Sequence, residues 1–473
     1  MQLSAKHSEI LDKNLEAIQS ITAIIADTLG PDGLDVMLID EFSNSFCTND
    51  GVAILNNIQI KNPIAKYVRD AAISQEEKVG DGTTSVCVML TAMLEKAIQE
   101  IKNNDLSAVQ VAKELNQAKI ILVKLLKNLS KKIENLEDSN LFFASRVAAR
   151  NNEELSKLVT ELYRRNFKNQ IVDFFDLSNH IYAYKNQEQR IVEGLLLKKK
   201  AHLNKKRKVK NGSVLLIQGS FEPMPISSEA ANTDEGVKKF TNNVQEILEV
   251  CKKIKRREID AVFCSGSIFH QAEEMLNKEG IFVLSHLTDS QFEDLKLLSK
   301  ARPITRSELF EQGQGILLDN VGEFKSIDWD EELKAFLING AYFHFHSLIV
   351  SQNTPSMLEE QLRVAQDAAK VFFSTFKEGF VEGGGITELL LLEEFKKQSQ
   401  FSSSINEIIA AGLNSIFEQI RFNSGLDKSF DELRSEYRSS QVIDSSKVKG
   451  SIIEIAIELC SQIIKVKNIV SAN

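Results

Sequence analysis

Asp81 stands between Gly80 and Gly82, and Thr83, Thr84 and Ser85 follow directly. A carboxylate between glycines, with hydroxyls behind it, suits one kind of chemistry. It can hold a Mg²⁺ ion that phosphates share, while hydroxyls and backbone amides bind the other phosphate oxygens. An apolar series at helical spacing begins at once: Val86, Met89, Leu90, Met93, Leu94 and Ala97. The turn therefore lies at a helix N-terminus, where free N–H groups and the positive helix end favour anions. Asp and Thr are also ordinary capping residues. Gly-Asp-Gly alone reads as a cap, whereas the whole run from Val79 to Val86 points to phosphate.

Two similar breaks precede it, Leu29-Gly30-Pro31-Asp32-Gly33 and Asn49-Asp50-Gly51. Each must sit where one helix ends or another starts. Residues 8–28 have the helical period, residues 36–39 read as a short strand and 46–48 as its hairpin partner. Helices are expected from Val52, over 64–78, after Ser85, and over 106–129 and 153–167. Residues 191–345 change character. Short buried-strand runs at 214–217, 261–264 and 281–284 alternate with amphipathic helices at 234–256 and 268–279, which predicts a small sheet with helices on its faces. Helices return at 354–377, 386–397, 404–420 and 449–466, the first two separated by Glu382-Gly383-Gly384-Gly385. Helical character at both ends with α/β between predicts a discontinuous helical domain holding an insertion.

The 473 residues exceed what one core serves, and 43% hydrophobic with 26% charged residues is the balance of a soluble globular chain. Five scattered cysteines, with no Cys-x-x-Cys pair, argue for free thiols in a reducing compartment. Met1 to Lys6 lacks the pattern of a secretory leader, and no apolar run is long enough to span a bilayer. The expectation is a cytoplasmic protein with no membrane partner. A net charge of -9 argues against a dedicated nucleic-acid binder.

Taken together, Leu29-Gly30-Pro31-x-Gly33, Thr48-Asn49-Asp50-Gly51, the run from Val79 to Val86, and Gly383-Gly384-Gly385 occur in the order seen in group II chaperonins. The chain resembles this family, which includes the archaeal thermosome and the eukaryotic cytosolic chaperonin CCT/TRiC, over nearly its whole length. Leu362 to Ala368 resembles the family's R-S-L-H-D-A segment, and Asn423-Ser424-Gly425-Leu426-Asp427 its N-A-G-x-D. Asn57 to Pro63 and Val466 to Val470 look most like the beta subunit of CCT. The resemblance implies a multidomain α and α/β chaperonin fold. A helical equatorial ATP-binding domain would span 1–138 and 381–473, a small intermediate domain 139–193 and 346–380, and an α/β apical substrate-binding domain 194–345. It also implies partnership with other chaperonin subunits in a hetero-oligomeric double ring of eight-membered rings, enclosing unfolded client proteins.

ATP and Mg²⁺ are the cofactors the resemblance implies. Asp81 would be the metal ligand. Leu29, Gly30, Pro31, Gly51, Gly82, Thr83, Thr84, Ser85, Arg146, Gly384 and Gly385 would contact nucleotide, with Arg146 standing where the family has a nucleotide-sensing lysine. Asp50 and Asp367 match the acidic pair beside the attacking water. Read without the resemblance, Asp50 is a helix cap and Asp367 part of a solvated helix face. The helix around Ile268, Phe269, Gln271, Ala272 and Met275 would bind clients, although its apolar members read equally as core. Glu222 to Lys239 would carry the family's lid protrusion.

Departures from the family pattern are specific. Asp32 replaces a lysine beside the phosphates, and Tyr437 to Asp444 is too short for the hairpin whose acid contacts the nucleoside. They motivate an alternative, a ring subunit with weak or lost ATPase that acts in assembly and client binding. The run Lys198-Lys199-Lys200 with Lys205-Lys206-Arg207-Lys208 reads as a charged loop opening the apical domain, or as a nuclear localisation signal on a nucleic-acid-associated protein.

Overall fold

Glycine-acid breaks and side-chain caps set the helix ends of this chain. The computed structural model describes residues 5–30, 33–39, 45–168, 174–199, 208–225, 233–310, 316–425 and 430–467. Pro31, Asp32, Lys200 to Arg207, Ile226 to Ala231, Leu426 and Asp427 lie outside them. The chain forms two compact units, Met1–Ser178 with Gln352–Asn473, and Asn179–Ser351.

The first unit opens with α1 (Ala5–Ala26). Strands β1 (Val36–Ile39) and β2 (Ser45–Thr48) form the expected antiparallel hairpin, Val36 opposite Thr48. Asp50 caps α2 (Gly51–Asn57), its carboxylate accepting from the amides of Val52 and Ala53. Asn62 caps α3 (Pro63–Val79) in the same way, with proline at the first position, where its missing N–H costs nothing. Then follow α4 (Thr83–Asn103), α5 (Ala108–Leu129), α6 (Ser139–Ala148) and α7 (Glu153–Phe167). Every residue from Thr83 to Leu90 is buried, so α4 is the central helix, packed by neighbours on all sides.

The second unit contains β3 (Ile181–Lys185), β4 (Arg190–Glu193), β5 (Leu195–Leu197), β6 (Val209–Gln218), α8 (Asp234–Arg256), β7 (Ala261–Cys264), α9 (His270–Lys278), β8 (Phe282–Leu284), α10 (Asp289–Ser299), β9 (Ile304–Thr305), α11 (Arg306–Phe310), β10 (Val321–Asp330), β11 (Ala335–Gly340) and β12 (His346–Gln352). Its main sheet runs β5-β11-β10-β6-β7-β8, with β9 also on β6, and β3-β12-β4 form a second sheet. β6, β7 and β8 are parallel while β10 and β11 are antiparallel, so the expected α/β alternation is joined by a hairpin and a small sheet that periodicity does not predict.

The chain then returns to the first unit with α12 (Pro355–Glu378), β13 (Phe380–Glu382), α13 (Ile386–Lys396), α14 (Ser403–Asn423), α15 (Phe430–Ser439), β14 (Ile443–Ser445) and α16 (Ser446–Ile463). α1, α14 and α16 pack on α4. α12 is pinned to α7: the Tyr163 ring stacks on Phe372 with centroids 4.4 Å apart, and its hydroxyl donates to the Ala369 carbonyl at 2.9 Å. That packing fixes the helix that carries Asp367.

Candidate active site

The turn between α3 and α4 can form only because Gly80 and Gly82 adopt left-handed φ of 83° and 105°, a region other residues enter at a cost. Gly80 is doubly constrained. A Cβ there would lie 2.6 Å from the Asp367 carbonyl oxygen, so α12 rests directly on the turn. Asp81 accepts the Gly82 amide at 2.6 Å. Among the described residues no side chain caps α4, and its first-turn amides, which lack helical partners, open on a cavity of about 250 Å³.

Asp50, Asp81 and Asp367 all line that cavity, as do Leu29, Gly30, Gly51, Gly82, Thr83, Thr84, Ser85, Arg146 and Gly384. Chain segments far apart in sequence thus converge on one volume. Two hydroxyls are engaged elsewhere. Thr83 donates to Glu76 at 2.7 Å, and Thr84 lies 3.4 Å from the Thr28 hydroxyl. Gly385 does not line the cavity; it caps α13 with φ of 80°, and a Cβ there would lie 2.8 Å from Phe417 Cα, so its role is close helix packing.

The acids do not stand alone. Arg363 of α12 reaches Asp50 at 2.7 Å, Glu76 at 2.6 Å, and Asp367 and Glu360 at 3.2 Å. Arg150 pairs with Glu360 and lies 3.6 Å from Asp50. Burial, with Asp50 and Asp367 nearby, holds the Glu76 carboxyl well above its usual range. Burial also raises Asp367 to about 6, against the pull of Arg363 and Lys370. Asp81 is likewise raised to about 6, first by burial and then by Asp444. A raised carboxylate keeps its proton until the pH passes that value, and a metal held by Asp81 would compete with that proton. Mg²⁺-dependent nucleotide binding is therefore expected to weaken as pH falls through about 6, with a midpoint that moves lower as Mg²⁺ is raised. A titration of binding against pH at two Mg²⁺ concentrations checks this; a midpoint in the ordinary aspartate range, indifferent to Mg²⁺, would contradict it.

The opposite wall is apolar, built by Ile416, Ile420, Val442, Val448 and Ile452. The long hairpin is absent, but α15 and β14 occupy the segment, and β14 pairs with β13 so that Asp444 lies opposite Val381. Asp444 lines the cavity. It is held by Lys449 at 3.0 Å, which also meets Glu388 at 2.6 Å. Sequence reading passes over Glu76, Arg150, Asp444 and Lys449. Only Arg363 carries a signal, one helical turn before Asp367.

The residues present fit Mg²⁺ with a nucleotide. Among the described residues no cluster of three or more His, Cys, Asp or Glu side chains can hold a metal unaided. Asp81 would supply a carboxylate ligand, with phosphate oxygens and water completing the shell of a hard cation.

A sequence model described as the TCP-1/cpn60 chaperonin family matches residues 21–473. The chain belongs to that chaperonin family. Its relatives include thermosome subunit alpha of Archaeoglobus fulgidus, 24% identical over 97% of this chain and 91% of the relative. T-complex protein 1 subunit gamma of Encephalitozoon cuniculi is 23% identical over 99% and 97%. The relatives support the thermosome/TCP-1, or group II, side of the family. The crystal structure of a group III chaperonin in the open state shares the fold, with a TM-score of 0.76 at 22% identity, covering 98% of this chain and 99% of that one.

In the second unit of this chaperonin chain, α9 needs a correction. Ile268 and Ala272 are buried in the core between α8, α9 and β7, with Phe269 and Met275 half-buried against it. Only Gln271 of the five expected client contacts is exposed, because α9 turns its apolar stripe inward onto the sheet. Of the basic run, Lys198 lies over the Tyr184 ring at 3.9 Å and Lys199 donates to the His286 carbonyl at 2.5 Å. Among the described residues no helix is long and apolar enough to cross a membrane.

Proposed function

We propose that this chaperonin chain is an ATP-hydrolysing subunit of a group II double ring that encloses and folds client proteins. The supporting observation is the convergence of the Asp81 turn, Asp50 and Asp367 on one cavity. Asp81 would hold the Mg²⁺, which when bound would neutralise phosphate charge. The first-turn amides of α4 and the Ser85 hydroxyl bind phosphate oxygens, and the apolar wall receives the nucleoside. Asp50 and Asp367 orient the attacking water. Arg363 positions both carboxylates and ties α12 to α2 and α3.

Residues 1–138 with 381–473 serve as the equatorial domain, 139–193 with 346–380 as the intermediate domain and 194–345 as the apical domain. Asp50 and Asp367 then come from different domains, so the catalytic pair is complete only when these domains are closed on each other. The ring is hetero-oligomeric, eight subunits to a ring, and cytoplasmic, with this chain in the place of a beta-like subunit; the segment Asn57 to Pro63 favours that place. A second reading, slow hydrolysis, has one observation in its favour: Arg363 pairs with both acids at once.

Asp81→Ala in the assembled protein is expected to weaken Mg²⁺-dependent ATP binding by about tenfold or more, since a buried ligand charge is lost. Binding calorimetry with and without Mg²⁺ measures it, and electron microscopy of the same sample counts subunits per ring. Equal ATP binding by wild type and variant would remove the metal role, and particles without eight-fold double rings would remove the assembly.

A further inference from the structure

We infer that Arg150 is the residue by which this chain tells a nucleoside triphosphate from a diphosphate, an inference that rests on the nucleotide reading above. Among the described residues three cations line the cavity: Arg146, Arg150 and Lys449. Lys449 is buried and committed to Glu388 and Asp444. Arg146 turns towards the β14 side. Its guanidinium lies over the Phe143 ring at 5.2 Å and donates to the Ser440 carbonyl at 3.2 Å. Arg150 alone of the three faces the acidic end, between Asp50 and Glu360.

The backbone holds it there. Arg150 and Asn151 both take left-handed φ, 52° and 59°, a conformation that non-glycine residues adopt only at a cost. Three hydrogen bonds close the turn: the amides of Arg150, Asn151 and Asn152 donate to the carbonyls of Val147, Arg146 and Ala149 at 3.0, 2.9 and 3.0 Å. The chain thus reverses at the end of α6 and delivers the Arg150 side chain to the cavity. Its side chain is 28% exposed, so it can change partners without leaving water entirely.

A nucleoside seated on the apolar wall, with its phosphates on the α4 turn, directs the terminal phosphate of a triphosphate towards Asp50 and Asp367. That phosphate is a bidentate acceptor for a guanidinium and can displace the Glu360 carboxylate from Arg150. A diphosphate ends one phosphate short and leaves the Arg150–Glu360 pair intact.

The test uses the assembled protein with ADP and with a non-hydrolysable ATP analogue as probes, each titrated in Mg²⁺. Arg150→Ala is expected to weaken the triphosphate at least tenfold, about 1.4 kcal/mol, and ADP by less than about twofold. Arg150→Lys, which keeps the charge but not the fork, is expected to recover part of the loss. Arg146→Ala is expected to weaken both probes by one common factor. An Arg150→Ala loss that is equal for the two probes, or absent for the triphosphate, overturns the inference. If Arg150→Ala does not assemble, the triphosphate-to-diphosphate ratio of Arg150→Lys decides in its place: an unchanged ratio overturns the inference. Wild-type protein that binds neither probe removes the nucleotide reading itself, which separates the two failures.

Discussion

Asp367→Asn is expected to lower ATP turnover by about 100- to 10,000-fold, the usual worth of a positioned acid-base group, while ATP affinity stays within a few fold. Asparagine keeps the shape of the side chain on α12 and removes only its charge. The fold should not suffer. The Asp367 carboxyl is raised to about 6, mainly by burial and further by Asp50 and Asp81, against Arg363 and Lys370. A carboxylate whose folded pKa lies above its unfolded value loses folding free energy as pH rises from the unfolded to the folded value, and stays a liability above both. Removing that charge at neutral pH therefore leaves the melting temperature unchanged or higher. Asp50→Ala differs, because Asp50 also caps α2 through the amides of Val52 and Ala53. Its turnover loss should come with about 1 kcal/mol of destabilisation. Steady-state kinetics beside thermal melts separates the two. Turnover by Asp367→Asn equal to wild type would remove Asp367 from the chemistry.

Those two aspartates also mark where sequence reading stops. Elements whose signals are local are legible. Asp50 and Asn62 announce α2 and α3, the glycine turn announces α4, and β7 and α7 match their predicted bounds residue for residue. α10 has a local signal too, the capping box of Thr288 and Gln291, which the period-based reading passes over. What stays hidden depends on partners distant in the chain. β13 and β14 pair across an intervening helical region. α15 is rich in charge and reads as solvated, yet Leu433 and Tyr437 are buried and Arg434 and Arg438 clasp Glu382. Helical period shows that α9 has an apolar stripe but not which way it turns, so Ile268 and Ala272 are read as client contacts when they are core. Around the cavity, the glycine turn and both acids are legible because each sits at a break or in a motif. Their counter-ions are mostly not: helical spacing marks Arg363 for Asp367, but nothing local marks its pairing with Asp50 or Glu76, or that of Arg150 with Glu360.

Lys449→Met shows how far the site depends on such unmarked partners. Lys449 is buried between Glu388 at 2.6 Å and Asp444 at 3.0 Å. Burial disfavours its charge, but Asp444 and Glu388 more than offset this and hold the ammonium above the usual lysine range. A lysine raised in the folded state contributes stability that is fully present below its unfolded pKa and is lost only as pH climbs through the folded one. The contribution is therefore intact throughout the neutral range. Methionine fills the space and leaves two carboxylates without their cation, one of them 1% exposed. Breaking a buried pair by removing one partner costs about 3–5 kcal/mol, a drop of about 3–5 °C in melting temperature for a chain of 473 residues. The damage should reach the metal end of the cavity. Asp444 already raises the Asp81 pKa and Lys449 lowers it, so Mg²⁺-dependent nucleotide binding by the variant should lose its neutral-pH plateau and fall away at higher pH than in wild type. Lys449→Met with Glu388→Leu removes a charge of each sign and should recover much of the stability, since well-packed apolar replacements of buried pairs are often neutral. It should not restore the binding profile, because Asp444 still faces Asp81 without its ammonium. Thermal melts of the single and double variants, with nucleotide titrations at several pH values, measure both parts. A double variant no more stable than the single one would show that the triad is not what holds α13, β14 and α16 together.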